Sequence, residues 1–270
     1  MTPFGRPSGG ALAAAGRWLK AGWAGANEAF DSLLFPASCP ICDAETAGSP
    51  FCPDCRAELL GASGPSCPRC AMPVGPFSDL AGGCSGCRGG SLGFDGAVAL
   101  GPYSGPIRHL CLGLKHDRNA WMAPWLAEIV AQGRLDAIRE AAGAEAWGRP
   151  GAWVVPVPLH WRRRMARGYN QAEELARGLG RSLGLEVKPG ALRRVASTPK
   201  LASIGRSERA KLMRGAFRAG ARPGLRGRPI LLVDDILTTG ATAGAASRAL
   251  KRGGASRVVV VVVARAEGRS

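Results

Sequence analysis

The sequence lacks any apolar stretch long enough to span a bilayer. The valine run 258–263 is far shorter than the roughly 20 residues of a spanning helix, and it predicts a buried strand. Near the start, Leu12–Ala15 is followed by Arg17 and Lys20, with no convincing cleavage site. We therefore expect no transmembrane segment and no signal peptide, and we expect a cytoplasmic protein. Residues 1–35 predict a loosely amphipathic structural helix.

Acidic residues are scarce relative to basic ones. The chain of 270 residues has 20 Asp and Glu against 36 Lys and Arg, a formal net charge of +16. Such an excess of cations, most of them Arg, suits phosphate-bearing partners and does not choose between phosphorylated small molecules and nucleic acid. Hydrophobic residues make up 46%, enough for the core of one large domain or two modest ones.

Hydrophobic side chains other than cysteine are few between residues 36 and 90, so this segment cannot build a core from apolar packing. It contains four Cys-x-x-Cys pairs, a spacing that points two thiolates at one centre. Two pairs supply the tetrahedral sulfur shell of Zn²⁺, which predicts two structural zinc ions bound by Cys39, Cys42, Cys52, Cys55, Cys67, Cys70, Cys84 and Cys87.

The spacing leaves the pairing of these cysteines open. Nine residues separate the first two pairs and thirteen the last two, which favours two tandem zinc ribbons built from consecutive pairs. An interleaved arrangement, first pair with third and second with fourth, is the alternative. A disulfide framework is disfavoured because nothing in the sequence suggests secretion. Cys111 lies in an apolar stretch and is expected to be a core residue.

Residues 230–242 combine a strand with an anion-binding turn. Ile230–Val233 predict a strand of a parallel sheet, and Asp234 and Asp235 follow it directly. A turn with a glycine then opens a helix, and backbone N–H groups at such a helix start converge on a phosphate. The turn consists of Thr238, Thr239, Gly240, Ala241 and Thr242. Because carboxylates repel a phosphate, the two acids must serve ribose hydroxyls or a metal ion of the same ligand.

This stretch resembles the signature that binds phosphoribosyl pyrophosphate (PRPP) in type I phosphoribosyltransferases. The resemblance implies an α/β fold, with a type I phosphoribosyltransferase-like parallel sheet flanked by helices and preceded by the small zinc-ribbon module. It also implies that Asp234 and Asp235 are the catalytic acids that anchor the ribose, that residues 238–242 hold the 5′-phosphate, and that Mg²⁺ is the second cofactor.

Two further stretches extend the resemblance to the ComF family of competence-associated proteins, over about residues 30–265. One is Tyr103-x-Gly-x-x-Arg with Leu114-Lys115; the other is Val155-Pro-Val-Pro-Leu with Arg167-Gly-Tyr-Asn-Gln. The family implies a double zinc ribbon at 36–90 and a transferase domain at 91–270. The PRPP-binding residues implied besides the turn are Pro156, Val157, Pro158, Arg167 and Lys115. The implied partners are PRPP and, through DNA uptake, single-stranded DNA or proteins of the competence machinery.

The activity itself stays open between three hypotheses. The first is a Mg²⁺-dependent phosphoribosyltransferase. The second is a nucleic-acid-binding adaptor whose transferase domain binds PRPP only as an effector, and the third is a nucleotide-salvage transferase. No general base is identifiable, and Lys200 or Leu201 stands where family members carry Gln in a mobile loop. That departure predicts either a different acceptor or a weakened activity.

Overall fold

The structure of this protein is a computed structural model, and it describes residues 38–148, 151–196, 213, 215–220 and 224–267. The helix expected at 1–35 and the loop around Lys200 lie outside these ranges. Backbone contacts divide the chain into two units, residues 1–52 and 53–270. Within the described ranges, no helix combines the length and the apolar character needed to cross a membrane.

A five-stranded parallel sheet forms the centre of the second unit, in the order β1-β7-β6-β2-β3. A separate antiparallel pair consists of β4 and β5. The strands are β1 (Gly96–Pro102), β2 (Trp153–Pro156), β3 (Glu186–Val187), β4 (Leu192–Arg194), β5 (Phe217–Ala219), β6 (Pro229–Leu237) and β7 (Arg257–Arg265). The parallel sheet predicted from the sequence is therefore confirmed.

Helices flank this sheet, as predicted. They are α1 (Pro53–Gly61), α2 (Gly105–Gly113), α3 (Met122–Gly133), α4 (Leu135–Ala142), α5 (Trp161–Arg167), α6 (Gln171–Leu183) and α7 (Ala241–Arg252). Helix α3 packs against α6, which in turn packs against β2 and β6, and α7 packs against β5, β6 and β7. Gly178 permits the close approach of α3 and α6, because a Cβ there would lie 2.7 Å from that of Ala127.

The central strands are buried on both faces, which explains their continuous apolar sequences. Leu232, Val260 and Val262 belong to one apolar cluster, which also contains Ala246 of α7. The alternate residues Val233, Val261 and Val263 line a small cavity together with Val130 of α3 and Leu175 of α6. Successive side chains of a strand point to opposite faces, so the buried valines of β7 serve the apolar packing on both faces of the sheet.

One local prediction from the sequence is wrong. The helical pattern over 120–142 predicts one helix, but the structure has two, because Arg134 leaves the helical conformation at φ −130° and ψ 17°. Its Nη2 donates to Ser66 Oγ at 2.9 Å. The helical pattern that follows the glycine turn is confirmed, since helix α7 spans Ala241–Arg252.

Candidate functional site

The two acids lie where strand β6 continues beyond its neighbour β2. The pairing of β2 with β6 ends at Pro156 opposite Val233, whereas Asp234 still pairs with Val262 of β7. The strand therefore runs through the acids rather than ending before them as expected. Because β2 has already ended, Asp234 and Asp235 lie at the carboxyl edge of the sheet, the edge at which α/β proteins bind ligands.

Both carboxylates are held in place by hydrogen bonds. Asp234 Oδ1 accepts from the N–H of Asp235, and Asp235 Oδ1 accepts from the N–H of Ile236, each at 2.9 Å. Burial, and next the neighbouring charge of Asp235, raise the pKa of Asp234 well above its ordinary value of 3.8. Two adjacent acids in a desolvated position repel each other. A bound cation or a set of hydroxyl donors would lower the free-energy cost of keeping both carboxylates ionised.

The turn after β6 contains a glycine in the left-handed conformation and leads directly into α7. Gly240 precedes α7 with φ +77°, a left-handed conformation that favours glycine, and a Cβ there would lie 3.5 Å from the ring of Phe94. Thr239 Oγ1 accepts from the N–H of Ala241 at 3.4 Å. The side chain of Thr238 is exposed, and Thr242 lies in the first turn of α7. The first N–H groups of a helix have no intrahelical acceptor, so this turn presents donors and hydroxyls together.

The segment after β2 lies beside the acids. The N–H of Val157 donates to the carbonyl of Val233 at 2.8 Å, one residue before Asp234. Asn170 Nδ2 donates to the carbonyl of Val157 at 3.3 Å, which fixes the segment from the other side. The structure therefore brings Pro156–Pro158 next to Asp234, two stretches that are far apart in sequence.

A third stretch of the site begins at Gly168, which has φ +73° and lies between α5 and α6. Tyr169 Oη donates to the carbonyl of Leu114 and, at 3.3 Å, to that of His116. The hydroxyl thus bonds to both neighbours of Lys115 and fixes the backbone that carries this cation. Lys115 and Arg167 are half-buried. Burial raises the pKa of Tyr169 to about 12, so the hydroxyl stays protonated as a donor.

Gln171 is a site residue that the sequence analysis missed. The side chain is 4% exposed, and its Nε2 donates to Asp235 Oδ2 at 3.3 Å. Its Oε1 is buried and has no hydrogen-bond partner among the described residues. A buried carbonyl oxygen of this kind suits a hydroxyl or a cation of a ligand. The signal was present in the sequence as three polar residues, 169–171, but only the contacts show that each fixes a different part of the site.

The eight cysteines form two clusters of four consecutive ligands, which decides between the tandem and the interleaved pairing. The sulfur atoms within each cluster lie within 4.8 Å of one another. The Sγ–Sγ distances of Cys42–Cys52, Cys67–Cys87 and Cys70–Cys84 are 3.6 Å. Four thiolates at about 2.3 Å from a tetrahedral Zn²⁺ are about 3.8 Å apart, so these residues fit zinc. The tandem clusters are Cys39, Cys42, Cys52 and Cys55, and Cys67, Cys70, Cys84 and Cys87.

The same turn occurs twice, once in each cluster. Cys39 N–H donates to the carbonyl of Ala44, and Cys67 N–H donates to that of Met72, both at 2.8 Å. The residue after the second cysteine is left-handed in both turns, with φ 61° at Asp43 and φ 56° at Ala71. Ser38 and Glu45 form an antiparallel bridge, as do the equivalent Ser66 and Pro73. This repeat supports two ribbons of one kind rather than one mixed site.

The first cysteine of each turn has a lowered pKa. Burial raises the pKa of Cys39, but hydrogen bonds from the backbone of Cys52, Ile41 and Cys42 outweigh it and lower the pKa to about 7. Cys67 also has a pKa of about 7, because N–H donors outweigh its burial. Burial raises the pKa of Cys70 and Cys87 in the second cluster, so the thiols of one cluster differ before metal binds. Cys111 is a buried core residue, as expected, and lies outside both clusters.

Comparison with known proteins gives the same two modules. Residues 30–88 match the double zinc ribbon domain, and residues 166–270 match the phosphoribosyl transferase domain. DNA utilization protein YhgH of Salmonella typhi is 30% identical over 194 residues, which cover 72% of this chain and 81% of that protein. The chain belongs to the ComF family. Competence protein F of Haemophilus influenzae is 28% identical over 217 residues, covering 80% of this chain and 90% of the relative.

Membership of the ComF family confirms the predicted order of modules. The double zinc ribbon match includes all eight paired cysteines, and the transferase match includes Arg167, Gln171 and the stretch 230–242. Lys115 and Pro156–Pro158 precede residue 166 and therefore lie outside the transferase match. The ComF-family chain therefore has a candidate site that three separate stretches form at one edge of its sheet.

Proposed function

We propose that this ComF-family chain binds PRPP together with Mg²⁺ and transfers its phosphoribosyl group to an acceptor, in a role linked to DNA uptake. One observation carries the proposal: β6 brings Asp234 and Asp235 next to the phosphate turn 238–242, and the segment 156–158 lies beside them. The names of the relatives, Competence protein F and DNA utilization protein YhgH, support the link to DNA.

Each part of PRPP finds a matching group in this arrangement. The turn 238–242 offers backbone donors and threonine hydroxyls to the 5′-phosphate. Asp234 and Asp235 accept hydrogen bonds from the ribose hydroxyls, and the buried Oε1 of Gln171 is a further acceptor beside them. Residues 156–158, Lys115 and Arg167 face the leaving pyrophosphate, where cations stabilise the charge that develops in the transition state.

A divalent cation fits the acids on chemical grounds. Magnesium prefers carboxylate oxygens and phosphate oxygens, and burial together with the charge of Asp235 disfavours the ionised form of Asp234, a form that a bound cation would stabilise. Bound Mg²⁺ would neutralise the pyrophosphate. The task of the chain is to orient the ribose through Asp234 and Asp235 and to hold the leaving group with its cations. The acceptor would attack the anomeric carbon as pyrophosphate leaves.

Calorimetric titration of the whole protein with PRPP, with and without Mg²⁺, tests this proposal. We expect saturable binding that requires the metal, followed by release of pyrophosphate when the correct acceptor base or amine is added. Ribose 5-phosphate is the matched control, because it offers the 5′-phosphate without the pyrophosphate. Absence of PRPP binding under all these conditions would contradict the proposed function.

One observation favours a second candidate, a nucleic-acid-binding adaptor that uses PRPP as an effector. The two ribbons contain two phenylalanines; Phe51 is buried, whereas Phe77 is 98% exposed and can stack on a base. The charge of +16 also attracts a polyanion. Phe77→Ala should then weaken binding of single-stranded DNA severalfold and leave PRPP binding unchanged, as measured by fluorescence anisotropy and calorimetry. Unchanged DNA affinity would contradict the adaptor.

As domain bounds we propose residues 36–90 for the double zinc ribbon and 91–270 for the transferase domain. Residues 1–35 would form the N-terminal helix that the sequence predicts. We also propose a cytoplasmic location, because eight thiolates that bind zinc require a reducing environment.

A further inference from the structure

Arg265, the last residue of β7, connects the second zinc ribbon with the candidate phosphate turn. The side chain is buried, with 7% exposed. Its Nε donates to the carbonyl of Cys70 at 2.8 Å, and its Nη1 donates to the carbonyls of Leu237 at 3.0 Å and Thr238 at 2.6 Å. Nη1 also donates to the carbonyl of Ala266. One guanidinium therefore bonds to a cysteine of the second cluster and to the start of the turn.

The ribbon end of this connection is fixed by more than one contact. The carbonyl of Pro68, within the same Cys-x-x-Cys turn, accepts from the N–H of Ala97 in β1 at 3.0 Å. Ala71, directly after Cys70, belongs to the apolar cluster that also contains Phe94 and Leu237. The turn of the second ribbon is therefore joined to the sheet on both sides of Cys70.

The two turn carbonyls that accept from Arg265 lie directly before the N–H groups proposed to bind the phosphate. Leu237 is the last residue of β6, and Thr238 is the first residue of the turn that ends in α7. A buried guanidinium is stable only when its donors are satisfied. Moving one of its acceptors would leave a buried N–H unpaired, so the carbonyls that accept from Arg265 are fixed in place. The carbonyl directions of Leu237 and Thr238 set the orientation of the peptide groups that follow.

We propose that Arg265 couples zinc binding in the second ribbon to PRPP binding in the turn, so that each ligand stabilises the site of the other. This inference rests on the proposed PRPP-binding function and assigns its regulation to the zinc module. Zinc on Cys70 orders the carbonyl that Arg265 reaches, and Arg265 then orders the turn. Coupling between two sites is reciprocal, so bound PRPP must also raise the affinity of the second ribbon for zinc.

The first test needs no mutation. The zinc affinity of the whole wild-type protein is measured by equilibrium competition with a chromogenic chelator, with and without PRPP and Mg²⁺. We expect one of the two zinc ions to be bound at least about fivefold more tightly with PRPP, the lower end of typical coupling. Cys42→Ser, which disables the first cluster, assigns the more tightly bound ion to the second cluster. The ion of the first cluster is the internal reference, and its affinity should not change.

Arg265→Leu and Arg257→Leu form a matched pair on one strand. Arg257, at the opposite end of β7, donates to the carbonyl of Ala141 at 2.9 Å and pairs with Glu145 at 3.7 Å. We expect Arg265→Leu to weaken PRPP binding about tenfold and to abolish the effect of PRPP on zinc affinity. Arg257→Leu should lower thermal stability but keep the PRPP affinity and the effect of PRPP on zinc affinity. Arg265→Lys, which retains the charge with one donor group, should show partial coupling.

The outcomes separate the inference from the function on which it rests. If the wild-type protein does not bind PRPP, both the proposed function and the coupling are overturned. If it binds PRPP but the affinities of both zinc ions stay unchanged, the coupling is overturned and the function stands. Equal losses of PRPP affinity in Arg265→Leu and Arg257→Leu would reduce Arg265 to a structural residue and also overturn the coupling.

Discussion

At the scale of single residues, the structure shows why the two acids cannot be treated as equivalent. Asp235 is 8% exposed and accepts hydrogen bonds from both Ile236 N–H and the side chain of Gln171. Asp234 accepts one bond, from Asp235 N–H, and is the acid whose pKa is raised by burial and by its neighbour. Asp234 is therefore the carboxylate that gains most from a bound cation or hydroxyl.

Asp234→Asn should leave the protein as stable as the wild type or more so at neutral pH, and should remove stabilisation by PRPP and Mg²⁺. An acid whose folded pKa is raised binds a proton on folding, so wild-type stability falls as pH rises from 3.8 through the raised pKa. The asparagine does not titrate. The stability that the variant gains over the wild type is therefore absent below this pH range and complete above it. Thermal unfolding at a series of pH values, with and without PRPP, measures both effects.

Asp95→Asn is the control for this prediction. Asp95 pairs with Lys251 at 2.6 Å and accepts from Val258 N–H at 2.8 Å, at the amino end of the sheet. Its substitution should lower stability and leave the PRPP effect intact. The Asp234→Asn variant could instead be less stable than the wild type at neutral pH, or PRPP could still stabilise it. Either result would show that this carboxylate is a structural group.

At the scale of elements, the start of α6 joins three parts of the site. Asn170 is its N-cap, since Asn170 Oδ1 accepts from Ala172 N–H at 3.2 Å, while Nδ2 donates to the carbonyl of Val157. Asn170→Ala removes both bonds and should cost about 1–2 kcal/mol of unfolding free energy, together with a loss of PRPP affinity. Denaturant unfolding and calorimetry measure the two effects.

Ser104 offers a matched control for this helix cap. It is the N-cap of α2, but its side chain makes no capping hydrogen bond. Ser104→Ala should therefore change neither stability nor PRPP affinity appreciably. Equal effects of the two substitutions would mean that Asn170 acts through helix propensity rather than through its contacts.

Helix α5 contains two arginines that the sequence does not distinguish but whose surroundings differ in the structure. Arg164 pairs with Glu173 at 3.4 Å and is exposed, whereas Arg167 is half-buried beside the Gly168 turn. Arg167→Ala should weaken PRPP binding and leave DNA affinity unchanged. Arg164→Ala should leave PRPP binding nearly unchanged, because surface pairs contribute little. Affinities for both ligands at two salt concentrations check this.

The opposite pattern would favour the adaptor. If Arg164 and Arg167 contact a nucleic acid backbone, each loss should weaken DNA binding across sequences and lower the salt slope by about one. PRPP binding that is unaffected by either substitution would then contradict the role of Arg167 at the leaving group.

The sequence predicted the elements of this fold better than the contacts between them. Strand β6, helix α7 and the cysteine pairs follow from local patterns of apolar, acidic and thiol residues. The roles of Gln171 and Arg265 could not be predicted, because their partners lie 64 and 195 residues away, at Asp235 and Cys70. The break at Arg134 was also missed, because α3 and α4 continue one apolar pattern.

At the scale of the whole molecule, the two cysteine clusters predict two zinc ions per chain. Metal analysis of protein purified without added zinc should find both, and Cys42→Ser and Cys70→Ser should each retain one. Chelation should unfold the ribbons, because their few apolar residues cannot replace the free energy of metal binding. One zinc ion or none in the wild type, with disulfides in its place, would contradict the tandem ribbons.

The position of β7 in the sheet has a consequence for biosynthesis. Among the described strands β7 is the last to be made, yet it lies between β1 and β6, with Val261 opposite both Val98 and Val233. A nascent chain therefore carries two unpaired apolar strand edges until residues 257–265 leave the ribosome, and such edges promote aggregation. We expect chains that terminate before Arg257 to depend on chaperones and to be degraded rapidly, because they lack the strand that pairs with both edges.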